Sequence, residues 1–125
     1  MKNIIVLCAL MVLLVSCNKL EGETTMKPGE TRSNKDVSLK FLDYSDSRCP
    51  KGANCITQGY CAVWMEISDG TSTLPFTLGD SESPYENEFT GLDYNIRFID
   101  FLPEPKVDET LTANDYKLHL IVTKL

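Results

Sequence analysis

The chain has 125 residues and a formal net charge of −6, which predicts one small domain with an acidic surface. Such a surface repels the phosphate groups of nucleic acids and of anionic lipids, and no basic cluster interrupts it. We therefore expect no nucleic-acid partner. Any contact with a membrane is expected to come from a covalent anchor.

Residues 1–16 have the features of an export signal. Met1-Lys2-Asn3 gives a positive start, and an unbroken apolar run of twelve residues follows from Ile4 to Val15. A run of this length fits the core of a signal peptide, whereas a helix that crosses a bilayer needs about 20 apolar residues. Residues 1–16 are therefore predicted to be a signal peptide that is removed.

The apolar run ends in Leu14-Val15-Ser16-Cys17, which resembles the lipobox read by the lipoprotein signal peptidase. In that motif the cysteine thiol carries a diacylglycerol, and two or more acyl chains anchor a protein stably. We therefore predict a lipid on Cys17, with a secretory signal and a chance cysteine as the alternative. An Asp directly after the lipidated cysteine is the signal that retains a lipoprotein in the inner membrane. Asn18 at this position therefore favours placement of the protein in the outer membrane, on its periplasmic or its cell-surface side.

Residues 17–36 have the composition of a flexible tether. After the cysteine, Leu20 and Met26 are almost the only large apolar side chains, and Glu, Thr, Lys and Gly are frequent. Such a segment cannot bury enough surface to become ordered, and as a coil it would span about 25 Å. The β domain is therefore predicted to comprise residues 37–125, about 90 residues.

From Val37 onward the sequence has the two-residue alternation of β-strands. Apolar and polar residues alternate between Gly, Pro and Asp turn residues in the segments 37–41, 61–67, 74–78, 94–98 and 116–122. The pattern predicts an all-β fold, either a small antiparallel β-sandwich or a Greek-key barrel.

Three departures from plain alternation refine this prediction. Pro75 within a segment is typical of an edge strand, because proline lacks a backbone donor. The apolar parity shifts at Ile99 and Phe101, which predicts a bulge or bend. The two prolines of residues 102–105 must leave the sheet, and we expect the chain to cross there to the other sheet before a last strand at residues 115–124.

Three cysteines remain in the predicted domain, and export would place them in an oxidising compartment. Pro50 and Gly52 allow a sharp turn between Cys49 and Cys55, so these two are the predicted disulfide. Cys61 falls on the apolar face of a strand and is predicted to be a free, buried thiol. A disulfide between Cys55 and Cys61 is the alternative.

A metal site is the other interpretation of these thiols. Cys49, Cys55 and Cys61, with His119 as a possible fourth ligand, could hold Zn²⁺ or Cu⁺. Both gaps between the cysteines are five residues, whereas structural zinc sites usually separate paired ligands by two to four. We therefore predict no metal and no other cofactor, with a metal-handling lipoprotein as an alternative function.

The most distinctive stretch of the sequence begins at Asp46. Its characteristic residues, with those that match further along the chain, are Asp46-Ser47-Arg48-Cys49-Pro50, Gly52, Cys55, Gly59, Tyr94, Ile96, Pro103, Pro105, Asp115 and Tyr116. This pattern resembles a family of small bacterial envelope lipoproteins, whose members usually carry Trp where this chain has Thr57-Gln58. The resemblance implies a β-rich envelope domain and no particular activity.

The chain lacks the sequence motifs of common enzymes. Gly-x-Ser-x-Gly, His-Glu-x-x-His and phosphate-binding glycine loops are absent, and each would mark a known chemistry. Its one histidine, His119, alternates with Leu118 and Leu120 and should face away from the core, whereas a triad needs a histidine beside a nucleophile. We therefore predict no catalytic residue, with a small hydrolase as an alternative. Carboxylates such as Asp80 and Glu82 are expected to be solvated.

Arg48 has two interpretations. We favour an ion pair with Asp43 or Asp46 that fixes the cysteine segment, because arginine commonly forks onto carboxylates. The other interpretation is a contact with an anion or a partner. Together these features predict a membrane-anchored envelope lipoprotein with a non-enzymatic binding or structural β domain, whose partner is an envelope protein or a glycan.

Overall fold

Two four-stranded antiparallel sheets form the fold in the computed structural model, which describes residues 20–125. The strands of these residues are β1 (Gly22–Met26), β2 (Thr31–Ser33), β3 (Ser38–Asp46), β4 (Cys61–Ser68), β5 (Thr73–Gly79), β6 (Glu88–Gly91), β7 (Tyr94–Leu102) and β8 (Lys117–Lys124). The predicted all-β class is confirmed, in the form of a β-sandwich. Within the described residues no helix is long and apolar enough to cross a membrane.

The strands divide between the sheets in a simple way. Sheet A has the order β1-β8-β7-β6, and sheet B has the order β2-β3-β4-β5. Consecutive strands of sheet B are neighbours, as are β6, β7 and β8 in sheet A. The first strand pairs with the last, so the two ends of the folded domain lie side by side in sheet A.

The core lies between the sheets and is built from the inward side chains of each strand. Because successive side chains of a strand point to opposite faces, burial largely alternates along the longer strands β3, β4, β7 and β8. The largest fully buried side chains are Leu20, Met26, Leu39, Phe41, Met65, Ile67, Leu78, Tyr94, Ile96, Phe101, Leu118 and Leu120.

The prediction of a flexible tether over residues 17–36 is wrong within the described part of the chain. β1 and β2 lie inside this segment, and Leu20, Thr24 and Met26 are buried. All five residues of β1 pair with β8, a partner at the far end of the sequence that local composition cannot reveal. The ordered domain therefore includes Leu20 and is larger than the predicted 37–125.

Two smaller predictions are confirmed. Pro75 lies in β5, an edge strand of sheet B. The pairing of β7 with β8 shifts register between Phe98 and Asp100, which leaves Ile99 exposed and buries Phe101. The parity shift in the sequence therefore marks a β-bulge, as expected.

The predicted crossing to the other sheet after residues 102–105 is wrong. The chain does leave the sheet at Leu102, but it returns as β8 beside β7 in the same sheet. During this excursion it meets the cysteine segment through an isolated parallel bridge between Lys51 and Lys106. Lys51 N donates to the Pro105 carbonyl at 2.9 Å, and Val107 N donates to the Lys51 carbonyl at 3.2 Å, so the chain pairs with the loop between β3 and β4 without a change of sheet.

Candidate functional site

The two ends of the sandwich carry different features. At one end Asp46 pairs with Cys61 in sheet B, and Tyr116, just before β8, reaches Asp46 from sheet A. We call this the disulfide end. Gly22 pairs with Val122 towards the opposite end, so the described chain enters the sandwich away from the disulfide end.

Arg48 is the centre of the polar contacts at the disulfide end. Its Nε and Nη2 donate to the two carboxylate oxygens of Asp46 at 2.8 and 2.9 Å. Nη1 donates to the carbonyl of Phe101 at 2.8 Å, and Nη2 donates to that of Pro103 at 3.1 Å. The hydroxyl of Tyr116 also donates to Asp46, at 2.9 Å. One guanidinium therefore ties the end of β3 to the end of β7.

This pair is almost closed to solvent, since the side chains of Arg48 and Asp46 are 16% and 6% exposed. Burial opposes ionisation of Asp46, but the hydrogen bonds from Arg48 and Tyr116 and the charge of Arg48 outweigh it and hold the pKa of Asp46 below its usual value. Burial and the bond to Asp46 raise the pKa of the Tyr116 hydroxyl, which stays a donor.

The ion-pair interpretation of Arg48 is therefore confirmed, with Asp46 rather than Asp43 as its partner. Three nitrogens of the guanidinium already donate to acceptors of the protein. A contact with an outside partner, the other interpretation, would have to compete with these bonds.

The disulfide joins Cys49 to Cys55, with 5.9 Å between the Cα atoms, and the predicted pairing is confirmed. Cys61 is free and buried, so the alternative with Cys55 is wrong. Between the disulfide and the sheet, residues 47–49 and 58–60 form two arms that continue the hairpin of β3 and β4. Cys49 N donates to Gln58 O across these arms at 2.8 Å.

The Cys61 thiol is shielded from reaction. Burial, and then the neighbouring Asp80 carboxylate, raise the pKa of Cys61 to about 12. Its Sγ lies 3.4 Å from Asp80 Oδ2, which also accepts the Cys61 backbone N–H at 3.1 Å. Because the thiolate is the nucleophile and the metal ligand, this cysteine is held in its inert form.

The structure does not assemble the alternative metal site. Two of the three thiols form the disulfide, and His119 lies half-buried on sheet A, with its Nδ1 2.8 Å from Asp100 Oδ1. Its predicted position away from the core is confirmed. Residues 20–125 contain no group of three or more His, Cys, Asp and Glu side chains arranged to hold a metal ion.

A cleft of about 240 Å³ opens at the disulfide end. The residues that form its polar lining are Arg48, Lys51, Gln58, Asp80, Glu82 and Glu104. Its two cations are already paired, Arg48 as described and Lys51 with Glu104 at 2.9 Å. The cleft is smaller than typical ligand pockets, and no histidine, serine or reduced cysteine lines it.

A second feature, which sequence reasoning missed, lies on the outer face of sheet B. The Tyr85 ring centroid is 6.3 Å from that of Tyr60 and 6.3 Å from that of Trp64, with both contacts edge-on at 69°. We call these three residues the aromatic stripe. The available signal was Trp64 itself, a large aromatic residue at an outward position between buried Val63 and Met65.

Reducing the disulfide is expected to lower the free energy of unfolding by about 2 kcal/mol, because the loop between Cys49 and Cys55 gains freedom in the unfolded chain. Urea unfolding with and without reductant measures this change. The double variant Cys49→Ala with Cys55→Ala should show the same loss and no response to reductant. A response that persists in this variant would contradict the assignment.

Comparison with family models finds none that matches the chain, and comparisons with curated proteins and with solved structures find no match either. The resemblance to small envelope lipoproteins therefore stays a prediction.

Proposed function

We propose that this chain is an envelope lipoprotein, anchored by lipid on Cys17, whose β-sandwich is a non-enzymatic binding module for an envelope protein or a glycan. The observation that carries the proposal is the disulfide-closed loop, locked by the Arg48–Asp46 pair. Disulfides persist in exported proteins and are rare in the cytosol, which supports export by the signal at residues 1–16.

The position of Leu20 supports a short anchor in place of a long tether. Cys17 lies outside the described residues, but it precedes the buried Leu20 by only three positions. Three residues span at most about 10 Å, much less than the coil of about 25 Å expected from composition. A lipid on Cys17 would therefore hold the sandwich close to the membrane.

The same geometry gives the domain a direction. β1 begins at Gly22, towards the end of sheet A that is opposite the disulfide end. A sandwich anchored through β1 would present the disulfide loop away from the bilayer, where a partner can reach it. A loop already fixed by a disulfide and a buried ion pair loses little conformational freedom on binding, which suits a contact surface.

Replacing Cys17 with alanine is expected to abolish acylation, because the thiol that carries the lipid is removed. The product should then leave the membrane, since the acyl chains supply the proposed anchoring. Metabolic labelling with an alkyne fatty acid, followed by membrane fractionation, measures both effects. Cys8→Ala, within the predicted signal, is the matched control and should leave labelling unchanged. Full membrane retention of an unlabelled Cys17→Ala protein would refute the anchor.

A further inference from the structure

We propose that the aromatic stripe binds a basic segment of an envelope protein, with arginine or lysine side chains stacked over its rings. The proposal deepens the binding role proposed above, on which it rests, by naming the surface and the chemistry of the partner. It is carried by three observations: the position of the rings on the outer face of sheet B, with Tyr85 exposed and the other two half-buried, the carboxylates on that face and the connection of Tyr60 to the disulfide loop.

The rings of the stripe lie on a face that the sandwich leaves open. Sheet A covers the inner face of sheet B, so the outer face meets solvent except where the loop between β5 and β6 folds onto it. That loop contributes Tyr85, which is 39% exposed and packs its ring edge-on between Tyr60 and Trp64. Tyr60 and Trp64 are half-buried, and each edge-to-face contact covers at most one face of one ring.

Carboxylates lie on the same face of sheet B as Trp64 and on the loop that contributes Tyr85. Asp43 on β3 is the direct pairing partner of Trp64, and Glu66 lies two residues further along β4 on the same face. Glu82 and Glu86 are exposed on the loop that contributes Tyr85. The basic residue on the neighbouring strand is Lys40, opposite Glu66. Negative charge therefore predominates around the stripe.

This combination favours a cation. A guanidinium or ammonium group within about 6 Å of an aromatic ring is attracted to its face, most strongly by tryptophan, and nearby carboxylates add to the attraction. A neutral glycan can donate its hydroxyls to these carboxylates but gains no ionic attraction from them, and nucleic acids or anionic lipids would be repelled. A basic protein segment uses the rings and the charges together.

The stripe is connected to the rigid disulfide end. The Tyr60 carbonyl accepts the backbone N–H of Ser47 at 2.9 Å, in the same stem that carries the disulfide. Tyr60 is also the residue before Cys61, the first residue of β4. Its backbone position is therefore fixed before a partner arrives, which reduces the entropy lost on binding.

Fluorescence of Trp64, the only tryptophan of the chain, provides a direct test. The lipidated full chain, in nanodiscs of zwitterionic lipid, is titrated with a synthetic peptide of alternating arginine and glycine. We expect a saturable change in Trp64 emission whose affinity falls as salt is added. Tyr85→Ala should raise the dissociation constant about fivefold, the size expected for one lost cation–π contact.

A matched control is available on the other sheet. Ile121 on sheet A is 39% exposed, as is Tyr85, and Ile121→Ala should leave the dissociation constant unchanged. Glu66→Gln, which keeps the side-chain shape, should weaken binding and its salt dependence. Circular dichroism shows whether each variant is folded. If Tyr85→Ala does not fold, the affinity of Glu66→Gln for the peptide tests the proposal instead.

Two results would overturn the proposal. One is equal affinity of the peptide for the wild type, for Tyr85→Ala and for Glu66→Gln. The other is a Trp64 signal that saturates with a neutral glucose oligomer, independently of salt, while the arginine peptide gives none; the occupant would then be a glycan. Acylation of Cys17 is scored separately by labelling, so loss of the anchor and loss of the stripe contact are distinguishable.

Discussion

Replacing Arg48 with alanine is expected to lower the free energy of unfolding by about 3 kcal/mol, because the change leaves the Asp46 carboxylate buried without its counter-charge. The carbonyl oxygens of Phe101 and Pro103 lose a donor at the same time. The contact that joins the ends of β3 and β7 then disappears. Urea unfolding of both proteins measures the difference.

A second arginine of the chain provides the matched control. Arg32 also pairs with a carboxylate two positions earlier, Glu30, at 3.0 Å, but these side chains are 50% and 35% exposed. Exposed pairs of this kind contribute between nothing and about 1 kcal/mol, so Arg32→Ala should change stability little. If Arg32→Ala and Arg48→Ala lower the free energy of unfolding equally, burial of the Arg48–Asp46 pair contributes no stability.

The pH dependence of this effect has a definite sign. In the wild type the pKa of Asp46 is held below its usual value. Its contribution to stability is therefore complete above the unfolded-state pKa of about 3.9 and is lost as the pH falls through the folded-state value. In Arg48→Ala, burial without a counter-charge favours the protonated carboxyl. The difference in the free energy of unfolding between the wild type and Arg48→Ala should therefore narrow at low pH. A difference that stays constant with pH would exclude the charge of Asp46 as its source.

The longer strands could be predicted because their signals are local. The alternation around Leu39, Val63, Phe76, Ile96 and Leu120 gave the positions of β3, β4, β5, β7 and β8. The disulfide was also predictable, since the turn residues between Cys49 and Cys55 lie in one short segment.

The strands that were missed are short and depend on distant partners. β1 is held by β8, and β6 has four residues of which none is fully buried. Such strands are stabilised by pairing with a neighbouring strand more than by their own composition. With only four or five residues, β1 and β6 are also too short for an alternating pattern to be recognised. The same reason explains why composition predicts a flexible tether over residues 17–36.

The polar contact at the disulfide end depends on a bulge that the sequence analysis did not predict. The pairing of β3 with β4 shifts register between Phe41 and Asp43. Without this shift, the parity of Leu39 and Phe41 would turn Asp43 inward and Asp46 outward. The bulge points Asp46 towards the core, where Arg48 meets it.

The bulge at Ile99 acts in the same way on the facing strand. It turns Phe101 inward, and the Arg48 guanidinium carbon lies 5.8 Å from the centroid of this ring. Two register shifts in facing strands therefore converge on one arginine. Local alternation predicts each strand, but the meeting of Asp46, Arg48 and Phe101 follows from how the sheets are stacked.

The close approach of the two arms of the disulfide segment gives a prediction of comparable size. Gly59 has φ +64, in the left-handed region, and a Cβ built there would lie 1.8 Å from the carbonyl oxygen of Ser47. That oxygen belongs to the backbone, so relief requires the arms to separate. Separation would break the hydrogen bonds that join Ser47 to Tyr60 and Cys49 to Gln58.

Gly59→Ala is therefore expected to lower the free energy of unfolding by about 3 kcal/mol, of which about 1 kcal/mol is the left-handed conformation itself and the rest is the clash and the lost bonds. Gly70→Ala isolates the first contribution, because Gly70 has φ +89 and no atom within 4 Å of its added Cβ. Urea unfolding of the two variants should thus differ by about 2 kcal/mol. Equal losses would mean that the arms at Ser47 and Gly59 lie further apart in solution, and the loop could then not act as the rigid edge of a binding surface.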